Sequence, residues 1–529
     1  MTVVAANSPT RLTTLDVIGV GLCIEMFQQS LVLDEMQMHP NESILRSDLR
    51  LFPTSEAEKK LATEKRCAEV LEWGAKYFVE NWPIPSVSIC PTRRNLDISN
   101  TAADGKGNAD FFSNRIHSLT GLAEMPSHKI ASQGAFFRDE PEEILERAFQ
   151  FFEGHPEVPA LLLFATDGDQ TRRMIGDMSR ETHWGDGPRR FDAMAESIVA
   201  LVVARRERID ALRPFMPPPE TALHAAGKAP PGFKPSKFLP EPWTYDQLQQ
   251  FDSLPSIAVL HRPIRVSYRL DQNDKPTFDV AQQASLMYPQ ERQSTFKAGF
   301  DAALQEIPGG KPARVLYDAG SPVTGIHVIP LAQAVDSSLP KFDLYKSDEG
   351  YNIHERIGNT GAASPFVQCA LAIIAGYRNK DASITVNLRQ RDEATITVVT
   401  HSADTRKHIM GDPIDFDLAP WDGGLATSVA PAIATNNAKP ATPVSRPAVT
   451  RTVALGTRLQ TGDECPQSGM WQCDPPDAAH GAAHFIAAWR TLPQVTVEHT
   501  LTAWQKLRGD AAMERVSANW TLISYDEPT

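Results

Sequence analysis

Three short stretches of this chain bring together residue types that can do chemistry. The first is Arg356–Pro365, a run of glycine and small residues set directly before an apolar helical stretch, Phe366–Tyr377. Small residues let such a turn pack under a helix N-terminus, where unbonded N–H groups can meet an anion or a carbonyl oxygen. The second is Asp167-Gly-Asp169, at the end of an apolar strand, where α/β proteins often place ligands. Its functional reading is a metal or hydroxyl contact; its plain reading, which we favour, is a polar turn that ends the strand. The third is Cys465–Cys473, a turn bracketed by two cysteines, with His480 and His484 four positions apart just beyond it. This pair reads as a disulfide in an oxidising compartment, as half of a metal site, or as buried thiols.

The other familiar signatures are missing from the sequence. There is no Gly-x-Ser-x-Gly elbow, Walker loop, His-Glu-x-x-His pair or dinucleotide fingerprint. His117, His183, His224 and His327 lack metal-ligand spacing and read as surface or satisfied core residues. The basic stretch Arg205–Arg208 reads as the solvated face of a helix. No cofactor and no metal are expected.

Composition narrows the classes. The 529 residues carry a formal charge of −13 and are 42% hydrophobic, enough for a sizeable core. Net acidity without a compact basic cluster argues against nucleic acid as a partner. No apolar run reaches the roughly 18 residues a membrane helix needs, and Met1–Thr14 does not read as a signal peptide. The cytoplasm is therefore the expected compartment, or the periplasm had an anchor or signal been removed.

Elements that must position these residues follow from periodicity. Leu15–Cys23 reads as a buried strand, Ser55–Trp82 as a charged helix and Ser86–Cys90 as a strand. Glu140–Phe152 reads as an amphipathic helix with Pro141 in its first turn, followed by the strand Val158–Ala165. Phe191–Leu212 reads as a long amphipathic helix. In the second half the expected elements are strands Ser256–Leu260 and Arg314–Asp318, helix Arg292–Ile307, and strands Ile384–Leu388 and Ala394–Thr400 after the apolar helix. The expected organisation is a flexible N-terminus (1–14), a first α/β half (15–213), a Pro-rich connector (214–255), a second α/β half (256–424), an Ala/Pro-rich linker (425–450) and a small domain (451–529). In that last domain Trp471, Trp504 and Trp520 are expected to form the core, or to offer a partner contact if exposed.

This duplicated α/β layout, with its Gly-rich loop late in the second half, resembles the thiolase-like fold, in which two halves pack as a five-layer sandwich. The resemblance to ketoacyl synthases and thiolases implies a nucleophilic cysteine before a buried first-half helix and two histidines on second-half loops. In His128–Phe136 there is no cysteine; Ser132 and Gln133 occupy the neighbourhood. In Ala319–Gly325, after Asp318, the first histidine is missing. In Gly358-Asn359-Thr360-Gly361, asparagine stands where the second would be. These residues outline a vestigial cleft with no catalytic group. Val70–Pro85, Glu142–Leu163 and Ile357–Pro365 together resemble the type VI lipase adapter proteins, over roughly residues 15–415. That family implies a non-catalytic adapter that binds a phospholipase effector and helps load it onto the VgrG spike of the type VI secretion system. The tail, with its Cys-Pro-x-Ser-Gly-x-Trp-x-Cys pattern, resembles small domains found near type VI effector genes. The rival expectations are an immunity or inhibitor protein of the same lipase, and an enzyme with altered acyl-transfer chemistry at Ser132, Asp318 or Asn359.

Overall fold

A computed structural model describes residues 11–45 (without 26 and 41), 56–91, 115–137, 142–174, 194–212, 242–269, 287–320 and 328–404 (without 391), several short stretches between 454 and 524, and a few isolated residues. The chain divides into two compact units, Met1–Ser428 and Val429–Thr529.

In the first unit the chain runs β1 (Thr14–Ile24), β2 (Phe27–Gln28), α1 (Ser30–Met38), α2 (Glu56–Asn81), β3 (Ile84–Cys90), α3 (115–122), β4 (Ile130–Phe137), α4 (Glu142–Gly154), β5 (Ala160–Asp167), α5 (Asp169–Met174), β6 (Ser197–Ala204) and α6 (Ile209–Leu212). It continues through α7 (Tyr245–Ser253), β7 (Ala258–His261), β8 (Ile264–Ser267), α8 (Pro289–Gln305), β9 (Arg314–Asp318), α9 (Ile329–Ser338), β10 (Gly350–Asn352), α10 (Ile353–Ile357), α11 (Ser364–Asn379), β11 (Ala382–Asn387) and β12 (Glu393–His401).

The sheet order exposes an internal repeat. From edge to centre the first half reads β4-β3-β5-β6-β1 and the second β10-β9-β11-β12-β7. The senses repeat as well. β3 is parallel to β4 and β5, while β6 is antiparallel to β5 and β1. β9 is parallel to β10 and β11, while β12 is antiparallel to β11 and β7. The halves join where β1 pairs with β7, Thr14 opposite His261. The duplicated, layered α/β class expected from the sequence is thus the one found.

Strand β6 shows why the layers form. Its residues alternate, Ile198, Ala200 and Val202 facing the outer core with α2, Val199, Leu201 and Val203 facing the inner core with α4 and α11. Both faces are buried, so the run is apolar throughout and has no visible period of two. That corrects the expectation of a long helix over Phe191–Leu212: the β-branched run is a central strand, and only Ile209–Leu212 is helical. Helix α11 is buried on every side over Ser364–Gly376 and touches β9, β11 and β12 of its own half and β1 and β6 of the other. α8 and α9 cover the outer face of the second half.

The segment 214–255 is not wholly an extended connector. Thr244 caps α7 through a reciprocal capping box with Gln247. Trp243 and Phe251 then pack on Trp82, with ring centroids 5.9 Å apart in both cases, a spacing typical of aromatic pairs. Pro141 and the 425–450 linker lie outside the described residues.

The second unit holds β13 (Arg458–Gln460), β14 (Gly469–Asp474), β15 (Ala483–Ile486), β16 (Val495–Glu498), β17 (Met513–Val516) and β18 (Asn519–Ser524). They form a four-stranded sheet, β13-β18-β14-β15, and a β16–β17 pair. Its core contains Cys465, Trp471, Cys473, Ala518, Trp520 and Leu522.

Candidate functional site

The Arg356–Pro365 loop sits where the carboxyl ends of the half-sheets meet. Two glycines in the left-handed region shape it, Gly358 at φ 92° and Gly361 at φ 50°, a region that costs glycine little. Its backbone is stitched to the first half: the Ala195 amide donates to the Asn359 carbonyl at 2.9 Å, beside a bridge between Met194 and Asn359.

Two buried aspartates close the loop from either side. Asp167 ends β5, and its Oδ2 accepts from the Ala362 amide at 2.7 Å. A carboxylate of the protein itself thus takes the place an external anion would occupy before α11. The Arg172 guanidinium grips the same carboxylate through Nε at 2.8 Å and Nη2 at 2.7 Å, and the Gly168 amide donates at 2.7 Å. Such a two-pronged, charge-assisted pair is among the stronger hydrogen-bonding arrangements. Asp318 ends β9. Its Oδ2 accepts from the Ser364 hydroxyl at 2.5 Å and from Arg389 Nη1 at 3.2 Å, and its Oδ1 from the Gly320 amide at 2.8 Å. Burial alone would push the Asp318 carboxyl up; Arg389, Ser364 and the Gly320 amide outweigh it and hold it below the usual carboxylate value.

Arg389 also reaches Asn359, donating from Nη2 to Oδ1 at 3.0 Å, while the Gly361 amide donates to the same oxygen at 3.1 Å. Ser364 Oγ accepts from Gln368 and Asn387, each at 3.2 Å. Asn359 is therefore an acceptor locked between a guanidinium and a backbone amide, not a base. Asp318, Thr360 and Ser364 are fully buried. Beside this network, Glu196 Oε2 accepts from the Gln170 amide at 3.0 Å and Oε1 from Thr171 Oγ1 at 2.8 Å, fastening the start of α5. Burial pushes its carboxyl up to about 7, against the lowering pull of Arg66 and the two donors.

The structure thus brings together Asp318, Gly358, Asn359, Thr360 and Gly361. Ser132 and Gln133 belong elsewhere. They lie within strand β4, at the sheet edge, with Ser132 opposite Ser86, and not in a turn before the first-half helix. Residues 321–325 lie outside the described residues. The Asp167–Asp169 stretch is a turn that also anchors the loop. Glu196, Arg172 and Arg389 carry no signal in the sequence. Each is a charged residue with nothing local to mark its role, and only the fold gives it the partner described here.

In the second unit Cys465, Trp471, Cys473 and Trp520 are buried in one small core, the packing role expected for Trp471 and Trp520 rather than an exposed contact. His484 lies on β15 opposite Trp471, while His480 and Trp504 lie outside the described residues.

The fold and the site define a duplicated α/β scaffold whose central loop is tied down by its own carboxylates. Residues 13–184 match the family description "Type VI lipase adapter protein Tla3, N-terminal" and residues 257–401 match "Type VI lipase adapter protein Tla3, C-terminal". The two matches take in most of the first unit and more than half of the chain, and the chain belongs to the type VI lipase adapter protein family. It is also similar to solved ketosynthase and thiolase structures. One is the ishigamide ketosynthase/chain length factor, at 13% identity and TM-score 0.40, covering 73% of this chain and 99% of that one. Another is the ketosynthase of module 1 of the bacillaene synthase from Bacillus amyloliquefaciens, at 11% identity and TM-score 0.41, covering 75% of this chain and 74% of that one. A third is human mitochondrial 3-ketoacyl-CoA thiolase, at 9% identity and TM-score 0.35, covering 74% of this chain and 99% of that one. At these TM-scores the repeated strand order, rather than the likeness, defines the fold.

Proposed function

We propose that the chain is a non-catalytic adapter that binds a phospholipase effector in the cytoplasm of the secreting cell and helps load it onto the VgrG spike of the type VI secretion system. The observation that carries this reading is the family match across both halves. The loop geometry supports it. The groups that sequence resemblance sets in a cleft are consumed by internal pairing, Asp318 and Asn359 by Arg389, and the amide before α11 by Asp167. No nucleophile–base pair is assembled among these residues.

Adapter work needs area instead of a nucleophile, on the order of 1,200–2,000 Å² for a stable complex. A tethered second unit offers a second contact at raised effective concentration. Among the described residues no helix is long and apolar enough to cross a membrane. Mixing the chain with a type VI phospholipase tests the reading: a stable complex with the lipase still active supports an adapter. A complex in which the lipase is blocked identifies an inhibitor instead.

A further inference from the structure

Arg356, at the entrance to the same loop, has a buried guanidinium with one edge empty. The residue is 6% exposed. Its Nη1 donates to the Pro40 carbonyl, and the Tyr351 ring lies under the guanidinium carbon, with its centroid at 5.9 Å, within reach of a cation–π contact. Nε and Nη2, the two nitrogens on the other edge, have no hydrogen-bond partner among the described residues. A buried guanidinium left half-bonded is costly, and such groups in native proteins call for a reason.

The chain itself shows what that edge binds. Arg172 closes its Nε/Nη2 edge on Asp167, Arg262 on Glu146 and Arg265 on Glu393. Two parallel N–H groups in one plane match the two oxygens of a carboxylate. Arg115 also has unpartnered nitrogens, Nε and Nη1, but its Nη2 is turned to the Cys67 sulfur at 3.7 Å, so no edge of it is wholly open. Of these arginines, Arg356 is the one that pairs a buried position with a complete empty edge.

We propose that Arg356 is a receptor for a carboxylate supplied from outside the chain, held side-on by Nε and Nη2. The segment after Pro40 is fastened to the backbone of the same residue. The Ile44 amide donates to the Arg356 carbonyl at 2.8 Å and the Ser43 hydroxyl at 3.2 Å. The Asp167 and Asp318 anchors of the loop use other groups and are left in place when the edge is filled. The site does not depend on the adapter reading.

The test uses the full chain with arginine Nε labelled, acetate replacing chloride at constant ionic strength, and in a parallel arm a short end-blocked peptide with one aspartate. The expected result is a shift of the Arg356 Nε–H resonance and a rise in melting temperature in the wild type. The rise in melting temperature is lost in Arg356→Met and in Arg356→Lys, which keeps the charge but not the planar edge. Tighter binding of the peptide than of acetate assigns the carboxylate to a protein partner; equal binding assigns it to a small acid. A resonance that responds to neither probe, or variants whose melting temperature rises as that of the wild type does, overturns the proposal.

Discussion

At the scale of single residues, the site is a set of charges that hold one another. Arg389 is the hub, because it faces both Asp318 and Asn359. Arg389→Met would leave the Asp318 carboxylate buried without its counter-charge. We expect a loss of about 3–5 kcal/mol in urea unfolding, more than for the double variant Asp318→Asn with Arg389→Met, which removes both charges. Glu196 gives a pH signature of known sign. Its folded-state carboxyl titrates at about 7 against an ordinary 4.5, so between those values the folded chain keeps a proton that the unfolded chain has released. Its contribution therefore makes stability fall as pH rises through that window, by about 3 kcal/mol in all, and leaves it flat above. Glu196→Gln should remove that slope, measured as unfolding free energy against pH. Asp318, held below its usual 3.8, acts oppositely: the stability it brings is present at neutral pH and is lost only as pH falls below that value.

At the scale of elements, two close approaches decide whether the layers fit. A Cβ on Gly361 would stand 1.9 Å from Asp167 Oδ2, at a backbone φ of 50°, where side chains are rarely found. Gly361→Ala should break the anchor of α11 and lower the melting temperature. A Cβ on Gly19 of β1 would meet the Gly74 carbonyl of α2 at 2.1 Å. Gly19→Ala should therefore force α2 off the sheet and cost roughly 1–3 kcal/mol in urea unfolding. Much of this layer was legible in the sequence. The strand over Arg314–Asp318 is found at those residues, and the helix and hairpin after the loop within two residues of the expected ends. The helix-like pattern over β6 has a physical cause. A strand buried on both faces lacks the alternation that separates strand from helix, and Phe191–Leu212 offered helix-like spacing across its charged end. The ion pairs were illegible for another reason. Asp167 and the Ala362 amide it binds are 195 positions apart, and nothing local in either stretch announces the other.

At the scale of the molecule, the chain is a doubled scaffold and a second, smaller unit. The composition of 425–450 leads us to propose a linker there. Limited proteolysis should cut within that stretch first and leave two folded pieces. First cuts inside β5, β6 or α11 would show that the layered unit is not the stable body described. The repeated layers pack around the tight loop before α11, and its polar groups are turned inward to Asp167, Asp318 and Arg389.

The adapter role is tested by mixing the purified chain with a type VI phospholipase at micromolar concentration, following the mixture by size-exclusion chromatography with light scattering, and assaying acyl-CoA condensation and lipase activity in the same fractions. The expected outcome is a co-migrating complex, no condensation by the chain, and a lipase that keeps its activity. Separate elution of the two proteins, or condensation by the chain alone, would contradict it.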